Sequence, residues 1–320
     1  MEHRKLIKFG NSSFVISLPS EWLKRNNVKK GDSIVCDYGK ANELILRYGG
    51  EKLERKEKIV INTKEKDDIR IEREIMSAYI NDYHTIEIKG KISNLEKIEN
   101  IVHNLVGLDI IEQTSEVTLI QDFLAPEDVK LINTIRRIDT IIKSMMIDTE
   151  ECIKLKDKKD RLSLYKSVYH RDVNVNRLRV LILKMLKMSE TQPKIIIQCE
   201  KEGLSVTELW SLVYNMEVVG DECKRIAKYV SDAELIESER KIIRDLYDRI
   251  MHGYELVMKS FYKKDKELAH DVAYEKNPII EECVKLIDKT DSTKTVVIVE
   301  KLKRMEGAIR DLTRVIIDLN

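Results

Sequence analysis

Glu217 and Asp221 are four residues apart, a spacing that puts both carboxylates on one face of a helix, where two helices in a bundle could converge them on a cation. With 56 Asp and Glu in 320 residues, such spacings also arise by chance on solvated faces, so spacing alone does not choose ligands. Glu275 lies in the apolar series Leu268, Val272, Glu275, Ile279. A carboxylate on such a stripe needs a partner, because an unpaired buried charge is expensive. Arg310 or a metal could serve, and Arg310 is the expected partner, which would make Glu275 and Arg310 a structural charge pair.

The other chemistry-bearing residue types are scattered. The six histidines show no His-Glu-x-x-His spacing, and the five cysteines (36, 152, 199, 223, 283) form no Cys-x-x-Cys pair. The cysteines are therefore expected to be small buried hydrophobes in a reducing compartment. No phosphate-cradling Gly-rich loop, nucleophile elbow or Cys/His nucleophile pair is present, so the chain is expected not to be an enzyme.

The elements that must position these residues follow from composition and periodicity. Hydrophobic residues at 42% and charged residues at 35% suit long solvated helices, and 320 residues imply two to three domains. No apolar stretch approaches the roughly 20 residues needed to span a bilayer, so a cytoplasmic protein without membrane insertion is expected. Net charge is +1, but residues 1–47 hold nine Lys/Arg against five Asp/Glu, a balance of +4 that leaves −3 for the remainder.

That basic segment alternates strands and turns: Arg4 to Phe9, a turn Gly10-Asn11-Ser12-Ser13, then Phe14 to Leu18 closed by Pro19. Ser20 is placed to cap a short helix Glu21 to Asn26, and strands Ser33–Asp37 and Glu43–Arg47 follow. So small a unit has little interior and is expected to complete its core with a second copy. Arg4, Lys5, Lys8, Lys24, Arg25, Lys29 and Lys30 could neutralise phosphates of double-stranded DNA, with Asn11, Ser12 and Ser13 donating from the turn. The run Arg4 to Ser13, then Ile16-Ser17-Leu18-Pro19, then Val28 to Ile34, resembles the AbrB/MazE swapped-hairpin family. That resemblance implies an interleaved homodimer whose basic strand and loop residues contact DNA.

After a charged linker at about 50–56, alternating short strands and helices between Ile59 and Ile120 suggest a small α/β unit. From Pro126 the pattern becomes long amphipathic helices. Ile132, Ile135, Ile138, Ile142 and Met145 form one stripe, and Leu302, Met305, Ile309, Leu312 and Ile316 another. Six such segments argue for antiparallel bundles, and Met216-Glu217…Arg225 against Met305-Glu306…Arg314 hints at duplication.

This plan, with Met216-Glu217-Val218-Val219-Gly220-Asp221-Glu222 and Arg171 to Leu178 as its best local matches, resembles the PhoU phosphate-signalling family over about 126–320. The resemblance implies a divalent or ferric ion held in the first half by Asp172, Asn176, Glu217 and Asp221. Asn176 stands where the family usually has an acid, which weakens that site. Four domains are expected: an AbrB-like module (1–48), an α/β unit (56–123) and two three-helix bundles (126–232 and 233–320). The combination resembles an archaeal arrangement and implies a regulator of phosphate-uptake genes. An adaptor that binds a phosphate transporter's ATPase without touching DNA is the alternative.

Overall fold

The structure is a computed structural model that describes residues 3–38, 44–48, 56–92, 94–189, 192–274 and 276–319. The chain divides into two compact units, residues 1–54 and 55–320.

In the first unit, β1 (Ile7–Phe9) pairs antiparallel with β2 (Ser13–Val15), in the register Ile7 with Val15 and Phe9 with Ser13. Gly10 takes φ +70°, which lets the hairpin reverse between them. Ser13 is therefore the first residue of β2 and not part of the turn. Helix α1 (Ser20–Arg25) follows, but Ser20 does not cap it: Pro19 holds the cap position and no side chain accepts there. Proline supplies the extended φ of a helix entry without an acceptor side chain. A second hairpin joins β3 (Ile34–Tyr38) and β4 (Leu44–Tyr48). Asp32 fastens it, accepting from Lys29 N–H at 2.7 Å and from the Tyr48 hydroxyl at 2.8 Å. These two bonds hold the Asp32 carboxyl below the usual carboxylate range.

No described residue of this unit is buried. Leu6 (70% exposed), Phe9 (69%) and Phe14 (64%) turn large apolar surfaces to solvent. Cys36 is exposed too, unlike the other four cysteines, so the expectation of uniformly buried cysteines fails here for lack of an interior.

The second unit begins with a four-stranded sheet in the order β5-β6-β8-β7. β5 (Lys56–Asn62) and β6 (Tyr83–Lys89) run parallel and are joined by α2 (Asp68–Ile80). Helix α3 (Leu95–His103) leads to the antiparallel pair β7 (Leu108–Gln113) and β8 (Val117–Asp122). Ile61, Ile75, Tyr79, Ile86, Ile98 and Ile120 form the core between sheet and helices. At Gly107 (φ +86°) a Cβ would meet Leu124 Cβ at 2.8 Å, so only glycine lets the chain pass there.

The rest is helical. A 3-10 turn at Pro126–Asp128 precedes α4 (Leu131–Lys154), α5 (Lys158–Met188), α6 (Pro193–Lys201), α7 (Val206–Ser231), α8 (Glu237–Lys263), α9 (Lys266–Tyr274), α10 (Lys276–Ile287) and α11 (Thr293–Ile317). Local signals set several starts. Asp157 accepts from Lys159 and Asp160 N–H, Ser205 and Glu208 form a capping box, and Ser292 accepts from Thr295 N–H.

Two features depart from the expected pair of three-helix bundles. Among the described residues the short α6 is an element beyond the six apolar segments that were read. The two halves also share one continuous core, since α7 packs on α4, α5 and α11 together. Met216 and Met305, the matched positions of the duplication, are both fully buried in it.

The sheet subdomain docks on α5 through Val180 and through Lys184. The Lys184 ammonium is fully buried, pairs with Asp122 and lies 3.0 Å from Asp82. It also sits 4.4 Å from the centroid of the Tyr79 ring.

Candidate functional site: an acidic cluster closed by lysine

Asp172, Asn176, Glu217 and Asp221 do come together, on the facing surfaces of α5 and α7. Asp172 is 3% exposed, because the antiparallel packing of the two helices covers it. Asn176, one turn along α5, donates to Asp172 Oδ2 at 3.2 Å. Into the space between the acids comes Lys224, whose Nζ lies 2.6 Å from both Asp172 Oδ2 and Asp221 Oδ1. Arg225 reaches the other oxygen of Asp221 at 2.6 Å. Arg179 faces Glu217 at 3.9 Å.

Burial pushes the Asp172 carboxyl above the usual carboxylate range, with Lys224 acting against it. Burial likewise raises Glu217, opposed by Arg179. Burial would lower Lys224, yet its hydrogen bonds to Asp172 and Asp221 leave it above its ordinary value, so the ammonium stays charged.

A metal centre needs several ionised oxygens with free lone pairs converging on one point. Here both Asp221 oxygens and Asp172 Oδ2 already accept from cations, and Asn176 turns its N–H toward Asp172. Three carboxylates face three cations, Lys224, Arg225 and Arg179. Among the described residues no group of three or more His, Cys, Asp or Glu is disposed to hold a metal ion. One feature points the other way: Asp172 Oδ1 is buried without a hydrogen-bond partner. A single oxygen does not make a coordination shell, so the donor set does not fit an ion while Lys224 is in place.

Lys224 is the residue that sequence reasoning missed, although its position three after Asp221 was a readable signal. Glu222 was missed as well. It is fully buried between α7 and α11, 2.7 Å from Arg225 and 3.2 Å from Arg304. Burial raises its carboxyl, with Arg225 opposing.

In the second half, Glu275 lies outside the described residues, so its pairing with Arg310 has no geometry to report. Arg310 approaches Asp311 at 3.5 Å, and its Nε is buried without a partner among the described residues. The expected DNA contacts Arg4, Lys5, Lys8, Asn11, Ser12, Ser13, Lys24 and Arg25 are all exposed in the first unit.

Fold and cluster together define a mainly helical protein whose acidic helix faces are charge-compensated from within. Residues 118–230 match the family described as PhoU domain. That interval runs from β8 through α7 and contains the whole Asp172–Lys224 cluster. The match thus covers the first half of the expected 126–320 and stops short of α8. The chain is also similar to the crystal structure of PhoU from Pseudomonas aeruginosa, with 13% identity, 58% of this chain and 93% of that chain covered, and a TM-score of 0.48. No curated protein matches the chain. No helix among the described residues is long and apolar enough to cross a membrane.

Proposed function

We propose that this chain is a cytoplasmic, non-enzymatic regulator of phosphate uptake that grips double-stranded DNA with a paired N-terminal module and receives its signal in the helical unit. The PhoU domain match supports the phosphate assignment. For the DNA part, the observation that carries the reading is a basic first unit with no buried described residue. Phe9, Phe14 and Leu6 are exposed beside Lys5 and Lys8, and surface of that kind is stable in water when a second copy covers it. A paired module of AbrB type would bury those side chains and double the cationic surface.

The first-half cluster serves in this reading as a neutralised joint between α5 and α7, with Lys224 in the role an ion would otherwise fill.

The alternative, an adaptor that modulates a phosphate transporter's ATPase by contact, is favoured by the position of the PhoU domain match, which lies wholly in the second unit. Titrating duplex DNA at increasing salt separates the two. The regulator predicts affinity that falls steeply with salt and is weakened by Lys5→Glu with Lys8→Glu, and a dimer by sedimentation. A monomer with no DNA binding at low salt sinks it and leaves the adaptor.

A further inference from the structure

The cavity at the corner between the end of α4 and the start of α8 is lined by Lys154, Glu237, Ser238, Arg240, Lys241 and Arg244, and measures about 250 Å³. Four of its six walls are cationic. Arg240 is 8% exposed, so it is a built-in cation and not a waving surface side chain. Its Nη1 is clamped by the carbonyl oxygens of Ile153 at 2.8 Å and Leu155 at 2.9 Å, while its Nε is buried with no partner.

The backbone adds to this field. Helix α8 is 27 residues long, and Ile236 at its cap position supplies no side-chain acceptor. The N–H groups of its first turn therefore point outward beside Ser238, at the positive end of the helix dipole. Of the acids nearby, Glu237 pairs with Lys156 at 3.3 Å, outside the cavity, whereas Glu150 pairs with the cavity's Lys154, Asp245 lies 3.5 Å from its Arg244 and Asp248 acts on both, so Arg240 and Lys241 carry the charge that no carboxylate offsets. Among the described residues Lys241 has no acidic partner.

From this geometry we propose that the α4–α8 corner is a binding site for a short oligophosphate. The cationic walls and helix start select anions, and phosphoryl oxygens are the acceptors that guanidinium and outward N–H groups match best. The cavity is roughly eight times the ~30 Å³ share of one water, more than a single phosphate group fills. It has no aromatic wall on which a base could stack, which favours a chain of phosphates over a nucleotide. The site is separate from the N-terminal module and stands whether or not that module binds DNA.

Calorimetric titration of the full chain with tripolyphosphate, orthophosphate, sulfate and ATP tests this. Saturable tripolyphosphate binding is expected, at least tenfold tighter than orthophosphate or sulfate. ATP should bind through its phosphates alone, no tighter than tripolyphosphate; tighter ATP binding would overturn the base-free assignment. Lys241→Glu with Arg244→Glu should weaken tripolyphosphate at least tenfold. Lys241→Ala, at an exposed position without an acidic partner, gives the same direction should the double variant fold poorly. Lys5→Glu with Lys8→Glu should leave this binding unchanged. Affinity insensitive to the Lys241 and Arg244 changes, affinity lost in the N-terminal variant, or no binding of any phosphate would overturn the site.

Discussion

Lys224 on α7 bonds Asp172 on α5 at 2.6 Å, across the interface where the acidic faces of the two helices meet. An ammonium carries its charge on a flexible stem and needs no open coordination position, so the helix pair is held without an exogenous partner.

Replacing that lysine removes the internal cation and leaves Asp172 and Asp221 facing each other. Lys224→Met should destabilise the protein by roughly 1–3 kcal/mol, less than the ~3–5 kcal/mol of a fully buried broken pair because Lys224 keeps some solvent contact. Urea unfolding measures the loss. Manganese should raise the melting temperature of Lys224→Met and leave the parent protein unmoved. A divalent ion that purifies with the parent and departs on Glu217→Gln would overturn the ammonium account.

A larger effect is expected at Lys184. Its ammonium is wholly enclosed and pairs with Asp122, which is 1% exposed, at the seam between the sheet and α5. Lys184→Met should cost about 3–5 kcal/mol, since the desolvated carboxylate loses its cation. Limited proteolysis should then cut between β8 and α4 faster than it does in the parent protein.

Thiol reactivity should divide the cysteines one against four. Burial pushes the Cys152, Cys223 and Cys283 thiols up to about 12 and Cys199 to about 11, so none forms thiolate near neutral pH. A disulfide reagent at pH 8 should modify Cys36 in the native chain and all five after unfolding. Rapid native modification of a second cysteine would show that the helical core opens.

Stability should fall on both sides of a mildly acidic optimum. Asp172 and Glu217 are raised above their ordinary 3.8 and 4.5, so between those values and their folded ones the native state holds more protons than the unfolded. Their contribution is present at low pH and lost as pH rises through the folded values. Asp232 behaves oppositely. Hydrogen bonds from Lys294 and Lys158 hold it down to about 2, so its contribution is present above 3.8 and lost as pH falls toward 2. Urea midpoints measured from pH 2 to 7 should trace this, and Asp172→Asn with Glu217→Gln should flatten the upper slope alone.

Periodicity made most elements legible. The stripes through Ile135, Ile138 and Ile142 and through Met305, Ile309 and Leu312 name residues that are fully buried, because helix geometry fixes which positions share a face. The hairpin of β1 and β2 follows from turn chemistry at Gly10 and the alternation around it. Helix ends were less legible: Ser20 looked like a cap, but the chain enters α1 one residue earlier, through Pro19.

Sequence by itself determined which residues could meet on one helix face, Asp172 with Asn176 and Glu217 with Asp221, and the resemblance to the PhoU family joined the two pairs into one set. Tertiary structure alone decided what fills the space among them, because the reach of Lys224 toward α5 depends on how α5 and α7 are set against each other. The same holds for the single core shared by both halves, for the burial of Lys184 and Glu222, and for the cationic corner of α4 and α8. Each depends on distances between segments far apart in the chain, and a one-dimensional pattern records spacing along a helix but not the separation between helices.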